Sequence, residues 1–128
     1  MVALDSYLDS QAGVDLLKID TDGFDHAVVM GAQQLARTHG PAIYCEFAPF
    51  LIEKTGGSGR EFLALLQSLG YNTIFPILSG GQVLAAPLGH DDLLEAAERE
   101  QYIDLVAVHD LHPQQSEALR AVVAAGVR

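Results

Sequence analysis

Apolar residues along this chain follow two rhythms. Short runs at Val14 to Ile19, Ala42 to Phe47, Tyr71 to Leu78 and Ile103 to Val108 are too short for helices and read as strands. Val14 to Ile19 is apolar enough to be buried on both faces, as the strands of a parallel sheet are. Between these runs the apolar positions recur at helical spacing. Phe24, Val28, Gly31 and Leu35, with Ala27 and Met30 on the same face, predict one helix. Asp22 suits its N-cap and Asp25 its first turn, and His39-Gly40-Pro41 marks its end.

Ser58 and Glu61 form a capping-box pattern ahead of Phe62, Leu65, Leu66 and Leu69, and Gly70 closes that helix. The stretch from Ala48 to Gly57 reads as a looser connection. Gly80-Gly81 predicts a turn into Gln82 to Ala86, hence a hairpin. Asp92 and Glu95 open a helix reaching Glu100, and Pro113 opens an amphipathic one ending at Gly126. Strands alternating with helices predict an α/β layered sheet. No repeat, linker or low-complexity stretch divides the chain, so residues 1–128 are expected to form one domain.

Composition narrows the partners. An apolar fraction of 49% over 128 residues suits a packed core and argues against disorder. The net charge of −10 disfavours nucleic acid and anionic membrane as direct partners. A single cysteine, Cys45, leaves no internal disulfide framework and suits a reducing compartment. No basic-then-apolar leader opens the chain, and Pro76, Gly80, Gly81, Pro87 and Gly89 break the longest uncharged stretch. A cytoplasmic protein is the expectation.

The candidate chemistry lies in Leu16-Leu17-Lys18-Ile19-Asp20-Thr21-Asp22-Gly23-Phe24-Asp25, where a strand runs into three acids. In open α/β sheets ligands bind beyond the carboxyl ends of strands. If the strand ending at Asp20 and the one ending near Glu46 are parallel neighbours, Asp20, Asp22 and Glu46 converge on one crevice. Such carboxylates could bind a divalent cation, or one could have its pKa raised and act as a base. Helix capping explains Asp22 and Asp25 equally well, but cap geometry does not need Asp20. An EF-hand loop fails in both registers: starting at Asp20 puts Asp25 at the glycine position and Gly31 at the glutamate position, and the other register starts at Lys18.

His26, on the first turn of the helix, either faces the same crevice or is simply solvated. His109 and His112 are a weak metal pair without a third ligand, and His112 also sits where a helix cap is expected. Lys54 to Arg60 is glycine-rich but lacks Walker spacing, so a loop plus a cap explains it better than an anion cradle. Cys45 lies inside a strand and reads as core, not as a nucleophile.

The block Asp15-Leu-Leu-Lys-Ile-Asp20-Thr-Asp22-Gly23-Phe-Asp25, then Met30-Gly31-Ala32 and Pro41-Ala-Ile-Tyr-Cys-Glu46-Phe, resembles the FkbM-type methyltransferases. That family carries a Lys-Ile-Asp-x-Glu/Asp-Gly-x-Glu core, a following Gly-Ala and a strand ending in glutamate. Leu4 to Leu8 resembles its lead-in and Leu69-Gly70-Tyr71 its helix-to-strand passage. The likeness covers roughly residues 2–110, and the helix at 112–128 is an addition without a counterpart.

The resemblance implies an S-adenosylmethionine-dependent O-methyltransferase with a Rossmann-like class I sheet. That sheet is mostly parallel with an antiparallel last strand and has helices on both faces. Residues 14–20, 42–47, 71–78 and 103–108 would be its fourth to seventh strands. Asp20 and Glu46 would be catalytic, orienting or deprotonating a small-molecule hydroxyl acceptor, with Lys18, Asp22 and His26 binding it. No metal ligand is assigned.

The family's cofactor contacts come from a first strand with a glycine-rich loop and from an acid after the second strand. These 128 residues contain neither, so no cofactor-binding residue is assigned. The expectation is the C-terminal half of such a domain, using the cofactor only when an N-terminal half completes it. Its free sheet edge should pair with another copy or with that half. Two rivals are a non-catalytic α/β module that binds protein through this edge, and a phosphodiesterase-barrel fragment. The barrel family usually follows Leu-Lys-Ile-Asp with Arg-Ser-Phe, not Thr-Asp-Gly-Phe.

Overall fold

The structure, a computed structural model, describes residues 2–8, 13–78, 81–83 and 87–124. Its elements in chain order are α1 (Leu4–Tyr7), β1 (Leu16–Ile19), α2 (Asp25–Met30), α3 (Gln33–His39), β2 (Ala42–Phe47) and α4 (Pro49–Lys54). They continue with α5 (Gly59–Ser68), β3 (Thr73–Ile77), α6 (His90–Glu100), β4 (Ile103–Val108) and α7 (Pro113–Ala124).

The strands form one sheet in the order β1-β2-β4-β3. β1 and β2 are parallel, with Leu17 beside Ile43 and Ile19 beside Cys45. β4 is antiparallel to both β2 and β3 and lies between them. The chain reaches that slot by doubling back beside β3. Val83 bridges Ile77, Leu78 N–H donates to Gln82 O, and Leu88 N–H donates to Ile74 O. This is the expected hairpin turn, although residues 79–80 and 84–86 of it lie outside the described residues. α6 then carries the chain back, Gln101 reverses it with a φ of 72°, and β4 starts with Ile103 opposite Phe47.

Register partners share a face of the sheet. One face carries Ile19, Ile43, Cys45, Phe47, Ile74, Leu105 and Ala107, all buried against Phe62, Leu66, Leu93 and Ala97 of α5 and α6. The other face carries the row Lys18, Tyr44, Val106, Phe75 and the row Glu46, Asp104, Ile77. α7 covers it only at the β3 side, where the Arg120 guanidinium lies 5.8 Å over the Phe75 ring. Helices therefore lie on both faces, but β1 is not buried on both as its sequence predicts. Leu16 is 59% exposed, and no helix among the described residues covers the second face beside it. The outer edge of β1 also pairs with no strand among the described residues.

The single helix expected after β1 is two. Ala32, with a φ of −122°, interrupts it between α2 and α3. The cause lies in α1, about thirty residues earlier. The Asp5 amide donates to Gly31 O at 2.9 Å, and the Asp5 carboxylate accepts from Gln34 N–H and Leu35 N–H at 2.9 and 3.0 Å. Asp5 thus satisfies the free amides of the first turn of α3 from a distant element. A second expectation also changes: α4 forms within the stretch read as a loose connection, with Pro49 in its first turn.

The end of α5 follows its sequence signature. Gly70 N–H donates to Gln67 O and Tyr71 N–H to Leu66 O, with Gly70 at a φ of 104°. The helix start does so too, since Ser58 Oγ accepts from Glu61 N–H at 3.1 Å. His109 then locks this corner. Its Nδ1 accepts from Leu111 N–H, which leaves Nε2 as the protonated nitrogen facing Leu69 O at 2.7 Å.

The Asp5 bridge gives a direct test. Asp5→Ala is expected to cost about 1 kcal/mol in urea unfolding, and Asp5→Asn less, because asparagine keeps one of the two accepting oxygens. Equal losses from both variants would show that the carboxylate oxygen is not acting as a cap.

Candidate active site

The residues that follow β1 make a tight turn packed on α4. Asp22 and Gly23 both take positive φ, 52° and 104°, so Asp22 is a turn residue and not the expected N-cap. α2 has no side-chain N-cap. Instead Asp25 reaches back, accepting from the amide and hydroxyl of Thr21. Gly23 is required here twice over: by its φ, and because a Cβ would lie 2.7 Å from Leu51 O. Thr55 Oγ1 donates to Gly23 O at 2.9 Å and ties the turn to α4. Asp25 is buried, and that burial raises its carboxyl above the ordinary value despite the Thr21 bonds, which lower it.

Parallel pairing of β1 and β2 brings the two strand-end acids together. Lys18, Asp20, Tyr44, Glu46, Tyr102 and Asp104 line one polar cleft of about 250 Å³ on the open face of the sheet. Tyr44 Oη donates to Asp104 Oδ2 at 3.0 Å, and Lys18 Nζ lies 5.9 Å over the Tyr44 ring. Glu46 titrates above its ordinary value. Partial burial is the main cause, followed by the charges of Asp104, Asp22, Asp25 and Asp20. A carboxyl held high in this way is a better proton acceptor near neutral pH.

A second cavity, about 940 Å³, runs along the unpaired edge of β1. Its walls are Val2, Leu4, Leu17, Phe24 and Val28, and it shares Lys18, Ile19 and Asp20 with the polar cleft. Asp20 therefore stands where an apolar groove and an acidic cleft meet.

Of the five residues singled out by sequence, the fold gathers Lys18, Asp20 and Glu46. Asp22 is exposed on the turn and acts on Glu46 only through its charge. His26 points elsewhere: its Nε2 lies 3.1 Å from where a Cβ on Gly57 would stand, beside the α4–α5 loop. Sequence reasoning missed Tyr44, Tyr102 and Asp104. The signal was a lone acid at an alternate position of the last strand, but its meaning depends on the β2–β4 register.

The other candidates have structural partners. His112 Nε2 faces His39 O at 2.8 Å, and His109 is held as described, so neither histidine is directed at a common ion. Among the described residues no three His, Cys, Asp or Glu side chains form a ligand set. Gly59 packs against Leu94, Phe47 and Pro49, and Arg60 pairs with Asp91 at 2.9 Å, so the glycine-rich loop is helix packing and capping. Burial pushes the Cys45 thiol well up, as a core residue requires. No helix among the described residues is long and apolar enough to cross a membrane.

Asp20 and Glu46 thus stand toward the carboxyl ends of two parallel strands, where open α/β sheets bind ligands. The methyltransferase FkbM domain matches residues 1–73, more than half of the chain, and the chain belongs to that family. No curated protein and no solved structure matches it.

Because Glu46 and Asp25 hold their protons more tightly folded than their ordinary values of 4.5 and 3.8 imply, the folded state gains stability as pH falls. That gain is complete below the ordinary values and is lost as pH rises through the raised ones. Glu46→Gln is expected to stabilise the protein at neutral pH and to flatten the fall of stability as pH rises above 4.5. Urea unfolding across that range measures the slope, and an unchanged slope would contradict the assignment.

Proposed function

We propose that this chain supplies the acceptor side of an S-adenosylmethionine-dependent O-methyltransferase with a Rossmann-like class I sheet. The observation that carries the reading is the position of Asp20, at the end of a parallel strand and between the acidic cleft and the apolar groove. The strand directions support it, since β1 and β2 are parallel and the last strand, β4, is antiparallel, as the family resemblance implies. Asp20 orients the acceptor hydroxyl and Glu46 takes its proton, while Lys18 balances the acids around it. Methyl transfer asks chiefly for in-line placement and a poised oxygen, so two positioned carboxylates are sufficient protein chemistry on this side.

The described residues do not fit the whole cofactor. A nucleoside with an amino-acid tail needs a glycine backbone that lets the tail approach and an acid for the ribose. Among the described residues the one glycine along the groove, Gly31, packs on Ala3, with a Cβ position 3.2 Å from the Ala3 Cβ. Asp20 is the one acid among the described residues that line the groove, and it is shared with the cleft. We therefore propose that the cofactor is held largely by further strands that pair with the free edge of β1. An N-terminal half provides them; without it the free edge is expected to pair with a second copy of the chain, which brings no cofactor site of its own.

Transfer of a labelled methyl group from S-adenosylmethionine to a panel of hydroxylated small molecules tests this, using the chain alone and with such a half added. The chain alone is expected to be inactive and the completed protein active. In the completed protein Asp20→Asn should lower kcat/KM by about 10²-fold or more while cofactor affinity is kept. Full turnover by Asp20→Asn would overturn the assignment. Light scattering of the chain at micromolar concentration is expected to show association.

A further inference from the structure

Glu46 and Asp104 stand directly opposite each other on the antiparallel β2–β4 pair. Like charges in that relation destabilise a sheet. Nothing in the local fold calls for an acid at this position, since Ile103, Leu105, Val106, Ala107 and Val108 make the rest of β4 apolar. Yet Asp104 is held in place, because the hydroxyl of Tyr44, two residues before Glu46, donates to it at 3.0 Å. Tyr44 in turn has Lys18 over its ring, and Lys18 lies beside it in the β1–β2 register.

We propose that Asp104, fixed by the Tyr44 hydroxyl across from Glu46, is a positioning residue that keeps Glu46 as the proton-accepting carboxyl of the cleft. Glu46 receives the hydroxyl proton of the acceptor, and Asp104 acts on that transfer through Glu46. The inference rests on the reading of this cleft as the acceptor side.

Several groups face Glu46. β1 contributes Lys18 and Asp20, and the turn and α2 contribute Asp22 and Asp25. Tyr44 flanks it on β2, and Tyr102 and Asp104 approach from β4 and the residue before it. Among the acids, Asp104 acts on Glu46 most strongly. It is also one whose placement no turn or cap explains, unlike Asp22 and Asp25. Tyr44 is a donor that can hold Asp104 without neutralising it.

The test is a carbon-13 NMR titration of glutamate side-chain carboxyls in the whole chain, with Glu46 assigned by its loss in Glu46→Gln. Asp104→Asn keeps the shape and can still accept from Tyr44, so it removes only the charge. The Glu46 midpoint is expected to fall by about 0.5 pH unit or more. Thermal stability should be unchanged or higher. Tyr44→Phe, which releases Asp104, should lower the midpoint by a smaller amount, and should have no effect once Asp104→Asn is present.

A Glu46 midpoint that stays fixed in both single variants would overturn the proposal. So would a loss of stability in Asp104→Asn with no change in titration, which would make Asp104 merely structural. If Asp104→Asn does not fold, Tyr44→Phe alone decides. No methyl transfer is needed for this measurement, so its failure is distinct from failure of the acceptor reading, which the labelled-methyl assay tests.

Discussion

The insertion of β4, antiparallel, between β2 and β3 is the constraint on which the rest of the structure depends. A strand in that slot pairs along both edges, so Ile103, Leu105 and Ala107 sit at the centre of the covered face and are buried completely. The chain can fill the slot only by doubling back after β3, through the hairpin, α6 and the reversal at Gln101. The same register brings Asp104 beside Glu46 on the opposite face. One pairing thus fixes both the core and the composition of the polar cleft.

The two faces of the sheet have different work. The covered face is apolar without interruption and excludes water from Cys45 and Phe47, so its contribution is cohesion. The open face mixes Leu16, Lys18, Tyr44, Glu46 and Asp104, a set that would be costly under a helix layer. Partial burial, and then the acids crowded there, raise the affinity of Glu46 for a proton, at some expense in stability near neutral pH. Structures commonly tolerate such strain at sites that handle protons, because a carboxyl with an ordinary pKa is a poor base at pH 7. The tight turn at Asp22-Gly23 belongs to the same arrangement. It anchors the end of β1 to α4 and so fixes where Asp20 stands.

Much of the secondary structure was legible because its signals are local. Ser58 and Glu61 at the start of α5, Gly70 at its end, and the apolar runs of β2 and β4 depend on neighbours a few residues away. The misreadings at Gly31, Asp22 and Leu16 are non-local. α2 and α3 separate because Asp5 of α1 caps the second of them, and no window around Gly31 contains Asp5. Asp22 looked like a cap because its residue type allows one, but the packing of Gly23 on Leu51 puts it in a left-handed turn. Leu16 looked buried because hydrophobicity cannot reveal whether a layer covers it.

For the site, the sequence by itself determined that acids lie at the ends of two strands, Asp20 and Glu46, and that these strands belong to an FkbM-type pattern. Those facts are carried by residue identity and spacing along one stretch of chain. The tertiary structure alone decided that Lys18 joins them, that His26 turns away toward Gly57, and that Asp104 and Tyr44 complete the cleft. Glu46 and Asp104 are separated by more than fifty residues and meet through backbone hydrogen bonding between β2 and β4. Which residues of two strands lie opposite is set by the register, and the register is chosen by the packing of the whole covered face.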